Sequence, residues 1–127
     1  MSKRVVIVDD SIFLIKQLKV FFETVMGFTV VGSGNDGIQA VELYRKHKPD
    51  LLTLDITMPH KDGVAALEEI MGEFPDATVM MISAIRGQEM TKCLKIGAKG
   101  YMEKPLLFTD EQFVLDFKAT LAEVFDA

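Results

Sequence analysis

The chain of 127 residues is 49% hydrophobic and 26% charged, and its formal net charge is −5. This length and composition are typical of one soluble globular domain, and they exclude disordered and fibrous proteins. The acidic balance gives no electrostatic reason to expect binding to nucleic acid or to an anionic membrane.

We expect neither a targeting signal nor a disulfide in this sequence. Cys93 is the only cysteine, so neither an intrachain disulfide nor a metal site built from several thiolates can form. The apolar run after the basic N-terminus stops at Asp9, too early for a signal peptide, and no segment approaches the length of a membrane span. We expect a monomeric, cytoplasmic protein whose residues 1–127 form one domain without an output domain.

Five strand-like segments alternate along the chain with five amphipathic helical segments. The predicted strands cover residues 4–8, 28–31, 51–54, 78–82 and 99–102. The predicted helices follow Ser11, the glycine-rich turn 32–37, Asp62, Gly87 and Thr109. This alternation predicts an α/β fold with a parallel sheet, right-handed crossovers and helices on both faces of the sheet.

Helical spacing of apolar residues predicts which side chains face the core. In the first helix these include Leu18 and Val25, and in the fourth they include Cys93 and Leu94. The residues from Thr109 to Gln112 have the capping-box pattern, which predicts the start of the last helix.

The stretch from Leu51 to Pro59 is the centre of the predicted site. Its apolar run ends in the lone carboxylate of Asp55 and then a proline, as expected of a buried strand whose last side chain reaches the rim of the sheet. Polar side chains follow three other strands in the same way, namely Asp9 and Asp10, Ser83, and Lys104. Open α/β sheets bind ligands at this edge, so we expect these side chains to gather there.

The residue types indicate the chemistry. Asp9, Asp10 and Asp55 would repel one another unless a proton or a cation offsets their charge. An all-oxygen donor set favours Mg²⁺, with Mn²⁺ possible, over zinc. Such an ion can bridge carboxylate and phosphoryl oxygens, while Ser83 and Lys104 can donate to the remaining phosphoryl oxygens. Asp55 is then the best candidate for a nucleophile that forms an acyl phosphate.

Each of these residues has a simpler explanation when it is taken alone. An aspartate after a strand is usually a turn or cap residue, and a lone lysine or serine is usually solvated. The prediction depends on the conjunction of five polar side chains at the ends of four strands, in a fold that binds its ligands there.

These motifs resemble the receiver domains of two-component response regulators, and in particular stand-alone receivers of the CheY type. The resemblance covers nearly the whole chain and is carried by residues 5–11, 55–59, 62–63, 83–84 and 97–105. It implies a flavodoxin-like, doubly wound (βα)5 fold with strand order 2-1-3-4-5. It also implies a signalling protein that catalyses only its own phosphorylation and dephosphorylation, and is not otherwise an enzyme.

The resemblance assigns a role to each acidic residue. Asp55 would be the phosphoacceptor, taking a phosphoryl group from a phosphohistidine of a sensor histidine kinase. Mg²⁺ would be bound by Asp10, Asp55 and the main-chain carbonyl of Thr57, and Asp9 would act through a water molecule.

The same resemblance implies a switch. Ser83 and Lys104 would contact the phosphoryl group, and the Lys104-Pro105 peptide would be cis. Movement of Ser83 would let Tyr101 turn from an outward to a buried rotamer, which would reshape the face formed by helix four, strand five and helix five. The residues alone favour another interpretation, in which Tyr101 is an amphipathic residue at a sheet edge with its hydroxyl in water.

The output is less closely specified. Ser83 stands where the family more often has threonine, which predicts looser coupling of the switch. Glu103 and the residues 106–108 make the entry to the last helix less typical, which leaves partner choice open. The local sequence around Asp55 and Ser83 resembles chemotaxis receivers more than other receivers. The partner of such a receiver would be the flagellar motor switch protein or a phosphatase. A phosphorelay intermediate that binds no motor is the alternative.

Two other function classes share parts of the pattern. Residues 32–37 spell G-x-G-x-x-G between a strand and a helix, with Asp55 about 20 residues further on, as in a dinucleotide-binding fragment. That interpretation leaves the other acidic residues and Lys104 without a role. A phosphatase of the haloacid dehalogenase type would use Asp55 and Mg²⁺, but it places a carboxylate where this chain has Thr57.

Overall fold

The computed structural model describes residues 2–126. Within this range five strands alternate with five helices, and a π-helical turn extends the first helix. In chain order the elements are β1 (Arg4–Val8), α1 (Ile12–Val20), the π-helical turn (Phe21–Val25), β2 (Thr29–Gly34), α2 (Gly37–His47), β3 (Leu51–Leu54), α3 (Gly63–Glu73), β4 (Val79–Ser83), α4 (Gln88–Ile96), β5 (Gly100–Glu103) and α5 (Glu111–Asp126). In the part of the chain so described, no helix has the length and apolar character needed to cross a bilayer.

The five strands form one parallel sheet in the order β2-β1-β3-β4-β5. This confirms the predicted flavodoxin-like order. β1 and β3 are neighbours, with Val8 opposite Leu54, so the residues that follow these two strands leave the sheet side by side. β4 and β5 are paired up to Ser83 and Glu103, which brings the polar residue after β5 to the same edge.

Two separate hydrophobic cores lie on the two faces of the sheet. One contains buried residues of α2, α3 and α4, such as Tyr44, Leu67 and Cys93. The other contains buried residues of α1, its π-helical turn and α5, such as Phe22 and Phe117. The strands contribute alternate side chains to each core, since successive residues of a strand point to opposite faces. The helices therefore cover both faces, as predicted.

The second strand is longer than the sequence indicated. It runs through Gly32 and Gly34, which pair with Val6 and Val8 of β1, whereas we expected it to end at residue 31. The interpretation of these two glycines as a turn is therefore wrong, and the turn begins at Asn35. Glycine-rich segments have low strand propensity, but pairing with a buried neighbour overrides it.

Two apolar residues that were expected to face the core are exposed. Val25 is 46% exposed because it lies in the π-helical turn, where the Met26 N–H bonds to the Phe21 carbonyl and the wider turn rotates Val25 away from the inward face that Phe21 and Phe22 occupy. Leu94 is 44% exposed, because its neighbour Cys93 takes the buried position on α4.

The start of the last helix also differs from the capping-box prediction. α5 begins at Glu111, and the Asp110 carboxylate accepts the Phe113 N–H over 3.1 Å. The cap is therefore Asp110, one residue later than Thr109. Asp and Thr are both good caps, so the sequence alone does not decide between adjacent positions.

Candidate functional site

The acidic cluster forms where β1 and β3 end. The Asp55 N–H donates to the Val8 carbonyl over 3.1 Å, so Asp55 sits beside the first residue after β1. One carboxylate oxygen from each of Asp9, Asp10 and Asp55 lies within 4.8 Å of the other two. Asp9 and Asp55 are buried, and Asp10 is exposed. The structure thus brings the three predicted acidic residues together.

Main-chain amides orient the two buried carboxylates. Asp9 Oδ1 accepts the Ser11 N–H over 2.9 Å, and Asp55 Oδ1 accepts the Ile56 N–H over 2.8 Å. In each residue the second oxygen, Oδ2, points to the same cation, Lys104. Its Nζ lies 2.9 Å from Asp9 Oδ2 and 3.1 Å from Asp55 Oδ2.

A main-chain hydrogen bond to the end of β4 holds Lys104 in place. Its N–H donates to the Ser83 carbonyl over 3.0 Å, one step beyond the last pair of β4 and β5. The following peptide, Lys104-Pro105, is cis, as the family resemblance implied. The lysine therefore reaches the carboxylates of β1 and β3 from the opposite side of β4.

The cluster contains more carboxylates than positively charged groups. Burial raises the pKa of Asp55, the charge of Asp9 raises it further, and Lys104 and the Ile56 N–H only partly offset these effects. Burial lowers the pKa of Lys104, but its hydrogen bond to Asp9 and the charge of Asp55 outweigh burial and raise it above its ordinary value. Two buried carboxylates, those of Asp9 and Asp55, thus share one ammonium group, and the Asp10 carboxylate lies beside them.

The donor set fits a hard divalent cation. Asp9, Asp10 and Asp55 supply only carboxylate oxygens, the ligands that Mg²⁺ and Mn²⁺ prefer, and no histidine or thiolate belongs to the cluster. Asp10 is exposed at the mouth of the cluster, so an ion could enter and keep several of its waters. Thr57, whose carbonyl is the fourth predicted ligand, is exposed in the loop after β3.

The loop after β3 is fastened by a close main-chain contact that sequence reasoning missed. The Gly63 N–H donates to the Ile56 carbonyl over 2.7 Å. A Cβ atom at Gly63 would lie 1.9 Å from the Asp55 carbonyl oxygen, so only glycine fits there. The sequence showed Asp62-Gly63 only as a helix start, and Asp62 does cap α3 by accepting the Ala65 N–H over 2.8 Å. Nothing in the dipeptide itself signals the contact with Asp55.

Ser83 and Tyr101 meet at the main chain of Ile85. Ser83 is buried at the end of β4, and its Oγ accepts the Ile85 N–H over 3.2 Å. Tyr101 is half-buried, and its hydroxyl donates to the Ile85 carbonyl. Burial raises the pKa of Tyr101 above its ordinary value, although the nearby Ser83 hydroxyl acts in the opposite direction. The alternative in which the Tyr101 hydroxyl lies in water is therefore wrong.

Sequence reasoning also missed Ile85 as the link between these two side chains. Both contacts are to its N–H and C=O, and any residue type supplies those groups. The link could not have been read from the side chain at that position.

Comparison with known proteins agrees with this geometry. The family described as response regulator receiver domain matches residues 5–114. The chemotaxis protein CheY of Thermotoga maritima is 43% identical over 106 residues, which are 83% of this chain and 88% of that protein. The chemotaxis protein CheY of Bacillus subtilis is 42% identical over 106 residues, which are again 83% of this chain and 88% of that protein.

A solved structure is similar as well. A chain in the CheX-CheY-BeF3-Mg+2 complex from Borrelia burgdorferi is 40% identical with a TM-score of 0.87, over 97% of this chain and 89% of that one. The family match spans most of the sequence, and the sheet order and acidic cluster agree with it. The chain belongs to the response regulator receiver domains, the signalling modules of two-component systems.

Proposed function

We propose that this protein is the phosphoacceptor of a chemotaxis pathway and that Asp55 takes a phosphoryl group in a reaction that requires Mg²⁺ or Mn²⁺. One observation carries the proposal. The Asp55 carboxylate lies within 4.8 Å of the Asp9 and Asp10 oxygens, and its Oδ2 lies 3.1 Å from the Lys104 ammonium. The proposed nucleophile, the residues proposed to hold the cation and the Lys104 ammonium therefore lie at one edge of the sheet.

The cation would be held by Asp10, Asp55 and the Thr57 carbonyl, with Asp9 acting through a water molecule. When bound, it would offset the charge that builds up on the phosphoryl oxygens during transfer. Lys104 already spans Asp9 and Asp55, so it can donate to a phosphoryl oxygen with a small shift of its ammonium group.

In the proposed reaction a carboxylate oxygen of Asp55 attacks the phosphorus of a phosphohistidine on a sensor kinase. An oxygen–phosphorus bond forms, the nitrogen–phosphorus bond breaks, and its electron pair returns to the imidazole. Each Asp55 oxygen accepts one hydrogen bond, Oδ1 from the Ile56 N–H and Oδ2 from the Lys104 ammonium, so the attacking oxygen must give up one of these bonds. The product is an acyl phosphate.

We propose that Ser83 and Tyr101 report this change to a partner. The phosphoryl group would attract the Ser83 hydroxyl, which now accepts the Ile85 N–H, and would thereby move the segment that also binds the Tyr101 hydroxyl. The face formed by α4, β5 and α5 would then differ between the two states. A phosphoryl group shifts such an equilibrium only as far as it binds the two states differently.

The partner in this proposal is the flagellar motor switch protein or a phosphatase. Support comes from the relatives named CheY and from the structure in which a similar chain is bound to CheX. A phosphorelay intermediate would share all the chemistry at Asp55 and would differ only in what its α4-β5-α5 face binds.

Intact-mass measurement after incubation with acetyl phosphate tests the proposal. We expect wild-type protein with Mg²⁺ to gain one phosphoryl group of about 80 Da, and neither Asp55→Asn nor wild type in excess chelator to gain it. Ser2→Ala, at the remote end of the molecule, serves as a matched control and should be phosphorylated normally. An adduct that is indifferent to Asp55 or to the metal would contradict the proposal.

A further inference from the structure

The turn between β2 and α2 takes no part in the proposed phosphoryl transfer, yet it contacts both loops that carry the site. Gly34, the last residue of β2, accepts the main-chain N–H of Asp9 over 3.1 Å. Gly37, the first residue of α2, donates its N–H to the Lys61 carbonyl over 2.8 Å. The turn therefore joins the main chain that carries Asp9 to the main chain that follows Asp55.

The loop beyond Asp55 is folded back on itself by short main-chain hydrogen bonds. The Lys61 N–H donates to the Pro59 carbonyl over 2.7 Å, and the Gly63 N–H donates to the Ile56 carbonyl over 2.7 Å. Thr57, whose carbonyl is a proposed metal ligand, lies between the two carbonyls that these bonds hold. A displacement of Lys61 would therefore be passed along the main chain to Thr57.

Gly37 approaches this loop too closely for any side chain. A Cβ atom there would lie 2.4 Å from the Lys61 carbonyl oxygen and 2.9 Å from that of Asp62. Both are main-chain atoms, which cannot turn aside as a side chain can. At Gly32, which belongs to the same glycine-rich stretch, a Cβ would lie 3.2 Å from the flexible end of Leu43. The two glycines are thus alike in sequence and different in what they touch.

We propose that residues 34–37 are a positioning element of the metal site, in which Gly37 sets the distance between the loop after Asp55 and the loop that carries Asp9 and Asp10. The proposal rests on the proposed function, since the cation is part of it. Disturbing the groups that orient metal ligands typically lowers metal affinity 10–100-fold. Gly37 acts through the main chain of neighbouring residues, so we expect the lower end of that range.

Surface ion pairs are the competing explanation for how the loop is held. The Lys61 side chain pairs with Glu69, which also pairs with Arg45 over 3.2 Å. These side chains are between 29% and 48% exposed, so solvent and salt screen their attraction. We therefore expect the main-chain contact of Gly37, and not the ion pairs, to fix the loop.

Calorimetric titration with Mg²⁺ of the unphosphorylated protein tests the proposal. We expect Gly37→Ala to bind Mg²⁺ about tenfold more weakly than wild type. Gly32→Ala and Glu69→Gln should bind within about twofold of wild type, because neither touches the main-chain contact. Leu121→Ala, in the core on the other face of the sheet, controls for loss of stability alone and should also keep its affinity.

Amide hydrogen exchange of the wild-type protein gives a second test that needs no variant to fold. Coupling is reciprocal, so Mg²⁺ should slow exchange of the Gly37 N–H severalfold. The Phe28 N–H, which bonds to the Phe22 carbonyl over 2.8 Å far from the site, should be unaffected.

The outcomes separate the two proposals. Wild-type protein that does not bind Mg²⁺ overturns the proposed function and this inference together. Wild-type protein that binds Mg²⁺, with unchanged affinity in folded Gly37→Ala, overturns only the inference. If Gly37→Ala does not fold, an exchange rate at Gly37 that Mg²⁺ leaves unchanged overturns it instead.

Discussion

Replacing Gly63 with alanine should damage both stability and phosphorylation, because the added Cβ would lie 1.9 Å from the Asp55 carbonyl oxygen. Real Cβ contacts are essentially never shorter than 3.0 Å, so α3 and the end of β3 must separate by about 1.1 Å or more. The obstructing atom belongs to the main chain of a buried strand end. The strain cannot therefore be relieved by a change of rotamer.

The size of the effect follows from these contacts. Overpacking typically costs about 1–3 kcal/mol, and a main-chain obstacle favours the upper end. Separation also weakens the hydrogen bond from the Gly63 N–H to the Ile56 carbonyl, worth about 1 kcal/mol. We expect a loss of about 3–4 kcal/mol in the free energy of unfolding. Displacement of Asp55 by about 1 Å should also slow its phosphorylation by up to about 100-fold.

Gly72 in the same helix is a matched control. A Cβ there has no atom within 4 Å, so Gly72→Ala should stabilise the protein by about 0.5–1 kcal/mol through helix propensity. Urea denaturation measures both variants, with opposite shifts of the midpoint expected. Gly63→Ala with wild-type stability and wild-type phosphorylation would refute the argument.

Three further predictions concern polar groups that are buried or half-buried. The pKa of Asp55 is higher in the folded protein than its ordinary value of 3.8. The metal-free protein should therefore lose stability relative to Asp55→Asn as pH rises from 3.8 through that higher pKa. Chelator-treated wild type and Asp55→Asn whose free energies of unfolding change in the same way across this range would contradict the prediction. Thr53 is 1% exposed, and its hydroxyl has no hydrogen-bond partner within residues 2–126. Thr53→Val should therefore raise the free energy of unfolding, measured in urea, by about 1–2 kcal/mol. A lower free energy of unfolding would mean that the Thr53 hydroxyl does have a hydrogen-bond partner. Tyr101→Phe removes the hydrogen bond to the Ile85 carbonyl, so its free energy of unfolding should fall by about 1 kcal/mol. Intact-mass spectra should still show phosphorylation at Asp55, and a variant that cannot be phosphorylated would place Tyr101 in the transfer itself.

Much of the fold could be predicted because the local signals and the tertiary structure agree. The run before Asp9 is rich in β-branched residues and the run before Asp55 is rich in leucine, and apart from Arg4 the strands they form are buried in the middle of the sheet. The acidic cluster could be predicted for the same reason. Once two such strands are parallel neighbours, the residues that follow them must lie side by side.

The features that the sequence did not reveal depend on main-chain contacts between distant segments. Gly32 and Gly34 read as a turn, yet pairing with β1 makes them the end of a strand. Gly37 and Gly63 read as helix starts, and their close approaches to Lys61 and Asp55 appear only when α2, α3 and the loop after β3 are packed together. Sequence patterns describe side chains, whereas these contacts are between main-chain atoms and are possible only because glycine has no side chain.

The helix faces failed for a related reason. A period of 3.6 residues places Val25 inward, but the π-helical turn adds a residue to one turn and rotates Val25 outward. The choice between Asp110 and Thr109 as the cap of α5 likewise cannot be read from residue types, since both are good caps. Such local shifts do not alter the topology.

The most direct test of the account is to locate the phosphoryl group within the chain. Wild-type protein is phosphorylated with acetyl phosphate and Mg²⁺ and then treated with borohydride, which reduces an acyl phosphate but not a free carboxylate. Peptide mass spectrometry then identifies the reduced residue. The account predicts reduction of Asp55 alone, whereas reduction of Asp9 or Asp10, or of no residue in a protein that carries the phosphoryl group, would contradict it.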